Sequence, residues 1–234
     1  MRTSTAPIEL RKRSFVVSTA NYHTVAKAVI FDLDGVLVDS HPQIDQALRQ
    51  WARSRNVDLT RWWQEAHALT DPEFIALAAP HLDVDRETQA LRVLEYELAG
   101  TARPYDGAQQ SYGSMPTEVT CIVTSGSRAT VLRRIRAAGL PEPSILIAAE
   151  DVRRGKPHPE PYLTALEEMN ISAGEAIVIE DSPAGVRSAC SAGIPVIGIA
   201  RTPAAARELA DENLVDRLPG LTSLSITEHS HTGP

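Results

Sequence analysis

Ala26-Lys27-Ala28-Val29-Ile30-Phe31 runs directly into Asp32-Leu33-Asp34-Gly35. A short, β-branched apolar run of this kind reads as a strand buried on both faces, as in a parallel sheet. It hands two carboxylates to whatever lies at its end. Four more runs repeat the pattern: Val119 to Thr124, Ile145 to Ala148, Ile177 to Ile179, and Pro195 to Ile199. Helical spacing fills the intervals. Val131, Leu132, Ile135 and Ala138 share one face and stop at Gly139, while Leu163, Leu166 and Met169 share another. A third helix starts at Pro183 and closes at Gly193, with proline at the entry and glycine at the exit. Strand and helix in alternation predict an α/β fold, a doubly wound parallel sheet of right-handed βαβ units.

One stretch breaks the alternation. Residues 39–103 offer no convincing strand but several helical patterns: Ile44, Ala47, Leu48 and Trp51, then Phe74 to Ala78, then Leu91, Leu94 and Leu98, punctuated by Pro80 and Pro104. A helical block inserted after the first strand predicts a small cap over the sheet's carboxyl edge. The predicted division is therefore a core of residues 25–38 and 104–226 with a helical cap of residues 39–103. Residues 1–24 read as a disordered extension and residues 227–234 as a flexible tail. Arg11-Lys12-Arg13 faintly resembles an export signal, but the polar Ser18 to His23 stretch interrupts the apolar region such a signal needs.

Composition sets the outer bounds. The chain has 234 residues, 43% hydrophobic, with a net charge of −7 and two cysteines. That length buries a core without disulfide or metal staples. The acidic balance argues against nucleic acid or an anionic membrane as partner, and no apolar run reaches the ~18 residues of a membrane helix. Two cysteines in apolar or helical surroundings predict a reducing, cytoplasmic setting. A monomer is expected, since no heptad pattern appears.

In open α/β sheets the ligand lies beyond the carboxyl ends of the strands. Those ends deliver Asp32-Leu33-Asp34-Gly35, then Thr124-Ser125-Gly126-Ser127, then Gly155-Lys156-Pro157, then Glu180-Asp181-Ser182-Pro183. Each alone has an ordinary explanation. Asp32 and Asp34 could cap a turn, Ser125 and Asp181 could cap the helices that follow them, and Lys156 could be a solvated loop lysine. Together, at one sheet edge, they predict one shared site. Clustered carboxylates imply a hard divalent cation, and Mg²⁺ takes one or two carboxylates plus phosphate and water. Ser125, with the N–H groups opening the helix near Arg128, forms a phosphate cradle, and Lys156 adds a point charge. An aspartate nucleophile divides phosphate-ester hydrolysis, which needs accelerations of up to ~10²¹-fold, into two easier steps.

These motifs resemble those of the haloacid dehalogenase (HAD) superfamily. Asp32-Leu33-Asp34-Gly35-Val36-Leu37-Val38-Asp39-Ser40 is similar to its first motif, and Ser125, Lys156 and Glu180-Asp181 fall where its second, third and fourth belong. Thr124-Ser125-Gly126-Ser127-Arg128 and Glu180-Asp181-Ser182-Pro183-Ala184-Gly185 resemble the sugar-phosphate and glycerol-phosphate phosphatase branch, which is similar to β-phosphoglucomutase. The resemblance implies a Rossmann-like core and a phosphatase for a small phosphorylated sugar or polyol. It implies Asp32 as nucleophile and Asp34 as general acid and then general base. It further implies Ser125, Gly126 and Lys156 as the phosphate-binding set. Mg²⁺ would be held by Asp32, the Asp34 main-chain carbonyl and Asp181, with Glu180 reaching it through a water or standing one layer behind.

The same residues separate the chain from some relatives. Dehalogenases lack the acid two residues after the nucleophile, whereas Asp34 is present here. Phosphonoacetaldehyde hydrolases use a cap lysine, but the only lysines are Lys12, Lys27 and Lys156. The alternative reading is a hexose-phosphate mutase, which would hold a second phosphate with basic cap residues. Where both kinds of relative often carry an arginine, this chain has His67-Ala68-Leu69-Thr70. A non-catalytic binding protein on the same fold is the third reading. His41, Trp62, Trp63 and His67 are candidate substrate contacts, for which core packing or surface exposure is an equal explanation.

Overall fold

The computed structural model describes residues 13–229, except 64 and 68. The strands are β1 (Phe15–Ser18), β2 (His23–Ala26), β3 (Ala28–Phe31), β4 (Val38–Asp39), β5 (Arg103–Pro104), β6 (Thr120–Val123), β7 (Ile145–Ile147), β8 (Ala176–Glu180), β9 (Val196–Ile199), β10 (Asp216–Leu218) and β11 (Ser225–Glu228). The helices are α1 (His41–Arg55), α2 (Asp71–Ala78), α3 (Val84–Ala99), α4 (Arg128–Ala137), α5 (Glu160–Met169), α6 (Pro183–Ser191) and α7 (Pro203–Glu208). The main sheet has six strands in the order β10-β9-β8-β3-β6-β7, parallel throughout. From β3 the chain builds outward through β6 and β7, then returns to the other side of β3 for β8, β9 and β10. The reversal between β8 and β3 opens a crevice at their carboxyl ends.

The predicted strands are present because their side chains have two apolar faces to fill. Ala28 to Phe31, Thr120 to Val123, Ala176 to Glu180 and Val196 to Ile199 are buried at every position. Phe31, Ile122, Ile179 and Ile197 join one core cluster, and Ile30, Cys121, Val178 and Val196 the other, so alternate side chains serve opposite layers. Helix α5 differs from expectation. It buries Pro161, Tyr162, Ala165 and Leu166 and leaves Leu163 at the surface, because Tyr162 turns inward to a polar partner described below.

The helices α1, α2 and α3 lie between β4 and β5, two antiparallel two-residue strands that form the crossing into and out of the insert. They pack on one another around Ile44, Leu48, Trp51, Phe74, Ile75 and Leu91, a cluster separate from those flanking the sheet. Glu87 is buried inside the insert and accepts from Trp51 Nε1 at 2.9 Å and from Arg55 Nε at 2.7 Å.

The chain ends correct the sequence reading. Residues 15–18 are a strand and residues 23 and 24 open another, rather than being part of a disordered extension, and residues 227 and 228 belong to β11 rather than to a tail. β1 pairs antiparallel with β2 and with β11, so that Phe15 faces Ala26 on one side and Glu228 on the other. Phe15, Val17 and Ala26 are buried in the larger core cluster. The polar stretch Ser18 to His23 is the turn of a hairpin, closed by Thr19 N–H donating to Tyr22 at 2.8 Å. The rest of both end segments, residues 1–12 and 230–234, lies outside the described residues. No helix among the described residues is long and apolar enough to cross a membrane.

Candidate active site

Beyond β3 the chain makes a tight loop in which Gly35 takes φ +88°. A Cβ there would run into Asp181 Oδ2, so only glycine allows the first and fourth strand ends to approach. Arg201, just past β9, donates to the carbonyls of Gly35 and of Val36 (2.8 Å for the latter) and stacks over Tyr105 at 3.6 Å. The loop that carries Asp32 and Asp34 is thereby fixed from below.

The motif residues converge. Lys156 Nζ lies 2.6 Å from Asp32 Oδ1, 2.6 Å from Glu180 Oε1 and 3.1 Å from the Val123 carbonyl, joining three strand ends through one ammonium. It is 4% exposed, which excludes a solvated loop lysine. Asp32, Asp34, Ser125, Gly126, Lys156 and Asp181 all line a single cavity of about 850 Å³. Asp32, Glu180 and Asp181 each bring one carboxylate oxygen within 4.8 Å of the others, an acidic group that could hold a metal ion.

Glu180 plays a different part from its neighbours. It is fully buried and uses both oxygens: Oε1 accepts from Lys156 and from Tyr162 Oη at 3.1 Å, and Oε2 accepts from the N–H groups of Asp181 and Ser182 at 2.8 and 2.9 Å. Gly185 is required beside it, since a Cβ there would meet Glu180 Oε1. Glu180 orients the lysine and the loop that presents Asp181.

The capping explanations for Ser125 and Asp181 do not hold. Helix α4 is entered through Ser127, and α6 through Ser182, whose hydroxyl accepts from Gly185 N–H at 3.0 Å. The amide cradle expected near Arg128 is narrower than its sequence suggests. Arg128 N–H donates to Glu150 at 3.0 Å and Gly126 N–H to Thr124 Oγ1 at 3.1 Å.

The electrostatics follow from crowding acids out of water. Burial pushes Asp32 up to about 8, with Glu180 and Asp34 adding to the shift while Lys156 opposes it. Burial and the carboxylates of Glu180 and Asp32 push Asp181 well above the usual carboxylate range. Burial works against the Lys156 charge, but Asp32 and Glu180 outweigh it and hold the ammonium. An acidic group strained in this way suits a divalent cation, whose charge removes the repulsion.

Several residues of the site have no counterpart in the motif reading. Asp34 accepts from Ser40 through Oδ1 and from Arg134 Nη1 at 3.0 Å through Oδ2. Arg134, on α4, is 1% exposed, and its Nη2 faces Glu95 of α3 at 3.9 Å. Asp71 of α2 pairs with Arg92 at 3.2 Å, and both Asp71 and Glu95 line the cavity. Burial and the neighbouring Asp71 push Glu95 up to about 8. Arg134 and Glu95 carried a signal, since each is a charged residue falling on the buried register of its helix, beside Val131 and Ile135 in one case and Leu91 and Ala99 in the other. The insert also clasps the lysine loop: Glu73 of α2 accepts from Gly155 N–H at 2.9 Å. His41, Trp63 and His67 line the cavity as well, whereas Trp62 packs within the insert cluster, and Ala68 lies outside the described residues.

The chain is similar to several known proteins. The chain is 34% identical to hexitol phosphatase A of Escherichia coli over 86% of its own length and 94% of that protein's. It is 29% identical to glycerol-1-phosphate phosphohydrolase 2 of Saccharomyces cerevisiae, over 75% of each chain. Its fold matches the crystal structure of CbbY from Rhodobacter sphaeroides with a TM-score of 0.71 at 22% identity, over 83% of this chain and 94% of that one. Residues 26–193, from the strand that presents Asp32 to the turn that closes α6, match the family of haloacid dehalogenase-like hydrolases, and the chain belongs to it.

Proposed function

We propose that this protein is a Mg²⁺-dependent phosphatase that hydrolyses the phosphate monoester of a small sugar or polyol through a phosphorylated Asp32. The observation that carries the reading is the single ammonium of Lys156 held at 2.6 Å from Asp32, on the floor of a cavity that also contains Asp34, Ser125 and Asp181. The named relatives, phosphatases of hexitol phosphate and of glycerol 1-phosphate, support the substrate class.

In this reading Asp32 attacks the phosphorus in line and takes the phosphoryl group. Asp34, two residues on, gives a proton to the departing alkoxide and later takes one from the water that cleaves the aspartyl-phosphate. Ser125 and Lys156 hold the equatorial phosphoryl oxygens as charge shifts onto them. Asp32, the Asp34 main-chain carbonyl and Asp181 would hold Mg²⁺, which when bound neutralises phosphoryl charge and aligns the group for attack. Glu180 orients rather than ligates, since both its oxygens are committed. The helical insert serves as a cap, its inward residues facing the leaving group.

The mutase alternative needs cations in the insert to hold a second phosphate. The insert has no lysine, and Asp71 and Glu95 face the cavity. Phosphate release from a panel of sugar and polyol phosphates, with Mg²⁺ and with EDTA, tests the proposal. The expected result is release in Mg²⁺, none in EDTA, and none from Asp32→Asn in either. Turnover of a hexose phosphate without phosphate release would replace the phosphatase reading with the mutase one.

A further inference from the structure

Arg134 and Glu95 meet where the insert packs on the core, and the protein leaves part of each without a hydrogen-bond partner. The Nε and Nη2 of Arg134 donate no hydrogen bond, and Glu95 Oε2 accepts none, although all three atoms are buried. Arg134 is 1% exposed and Glu95 6%, and both line the cavity that holds Asp32 and Lys156. Buried polar atoms are almost always paired, and an orphan needs a reason. Here three orphans, two donors and one acceptor, stand side by side.

We infer that Arg134 and Glu95 form a hydroxyl-recognition subsite, which selects phosphate monoesters whose carbon chain bears neutral hydroxyls next to the ester and disfavours a second anionic group. The inference rests on the phosphatase reading and specifies its substrate. The subsite adjoins the leaving-group side of the cavity, because Arg134 Nη1 holds the carboxylate of Asp34 at 3.0 Å. A substrate hydroxyl there accepts from the guanidinium and donates to Glu95, so one group answers both kinds of orphan. An anion does not fit. Asp34 and Glu95 face Arg134 directly and the charge of Asp71 also acts on it, while Arg92 is paired with Asp71 and with Glu150 of the core at 3.3 Å. A second phosphate would meet a guanidinium already held by Asp34 and flanked by the side chains of Asp71 and Glu95.

The unmodified enzyme provides the first test, with hexitol 6-phosphate and n-hexyl phosphate as a pair equal in length and differing only in hydroxyls. A site built to hydrogen-bond a hydroxyl rejects the analogue that leaves its buried groups unpaired, so kcat/KM should fall by about 10³-fold or more for the hexyl ester. Hexitol 1,6-bisphosphate should also be a poorer substrate than the monophosphate. The second test is Glu95→Met, apolar and of similar volume, with folding checked by circular dichroism. It should lower kcat/KM for hexitol 6-phosphate about tenfold more than kcat/KM for n-hexyl phosphate, a loss in the range of one hydrogen bond that falls mainly on KM. Equal turnover of the two esters by the wild-type enzyme would overturn the subsite and leave the phosphatase reading standing. So would a Glu95→Met variant that slows both esters alike or neither. Failure of the wild-type enzyme on both esters would remove the phosphatase reading and the subsite with it.

Discussion

The sheet and the helical insert are held together by different means. Around the sheet, β3, β6, β8 and β9 are buried along their whole length, and the one charged residue within them, Glu180, stands at a carboxyl end. The insert is a thin three-helix layer whose helix α3 buries Glu87, Thr88 and Glu95 beside Leu91 and Ala99. The sheet therefore behaves as an unyielding frame that sets the reacting carboxylates, with its charges locked by Lys156 and Glu180. The insert places charged groups against the cavity with looser pairing, at 3.9 Å for Glu95 and Arg134. A rigid frame for bond-breaking and an adjustable wall for selection is the division of labour this contrast teaches: damage to the frame should abolish turnover, and damage to the wall should redirect it.

The contrast can be broken at either end. Lys156→Met should have the largest effect, lowering kcat by about 10²–10³-fold. By leaving Asp32 and Glu180 buried without their cation, it should also cost roughly 3–5 kcal/mol of stability in urea unfolding. A variant with full activity would show that the lysine only braces the strand ends. Leu91→Ala should cost about 2–5 kcal/mol through a cavity in the insert cluster, and hydrogen exchange should rise in α1 to α3 ahead of β3, β6 and β8. Uniform loss of protection would mean that insert and sheet unfold as one unit. Gly35→Ala meets both a positive φ and Asp181, so it should weaken the stabilisation that Mg²⁺ gives in thermal unfolding by about tenfold in apparent affinity. An unchanged midpoint shift would exclude Asp181 from the cation site.

The smallest expected effect concerns pH. Glu95 is held at about 8 in the folded protein against an ordinary value of 4.5. The folded state thus keeps a proton that the unfolded chain releases, and this contribution to stability is complete below 4.5 and is lost as pH rises towards 8. Glu95→Gln cannot ionise, so its unfolding temperature should vary less between pH 5 and 8 than that of the wild type, by about a few degrees. Parallel curves for the two proteins would place the titration elsewhere.

The frame was the legible part of the molecule. Ala26 to Phe31 and the four matching runs identify buried parallel strands by composition alone, and residues at strand ends in such a sheet have one place to go. Asp32, Asp34, Ser125, Lys156 and Asp181 follow from chain order. Arg134, Glu95 and Asp71 do not, because a helical residue's partner depends on how two helices cross, which periodicity does not encode. A charge on an otherwise buried register was the available signal, and it marks position without naming the partner. Glu180 illustrates a finer limit: adjacent acids look equivalent in sequence, yet one lies inward at a strand end while its neighbour faces the cavity. The strand β1 was hidden for a third reason, since its partner β11 lies some two hundred residues further along the chain and the hairpin turn that joins it to β2 has the composition of a disordered linker.

That small sheet has a practical consequence for the chain as an object. Ser14 accepts a hydrogen bond from His229 N–H at 2.8 Å, next to the β1–β11 ladder, so the two ends of the described chain leave the fold side by side. A short peptide could bridge them, and new termini could be opened in a surface turn such as the one at Gly139, giving a circular permutant with the same order of strands in space. Starting a recombinant protein at residue 25, by contrast, would strip β11 of its strand neighbour among the described residues and uncover the apolar surface that Phe15 and Val17 now shield.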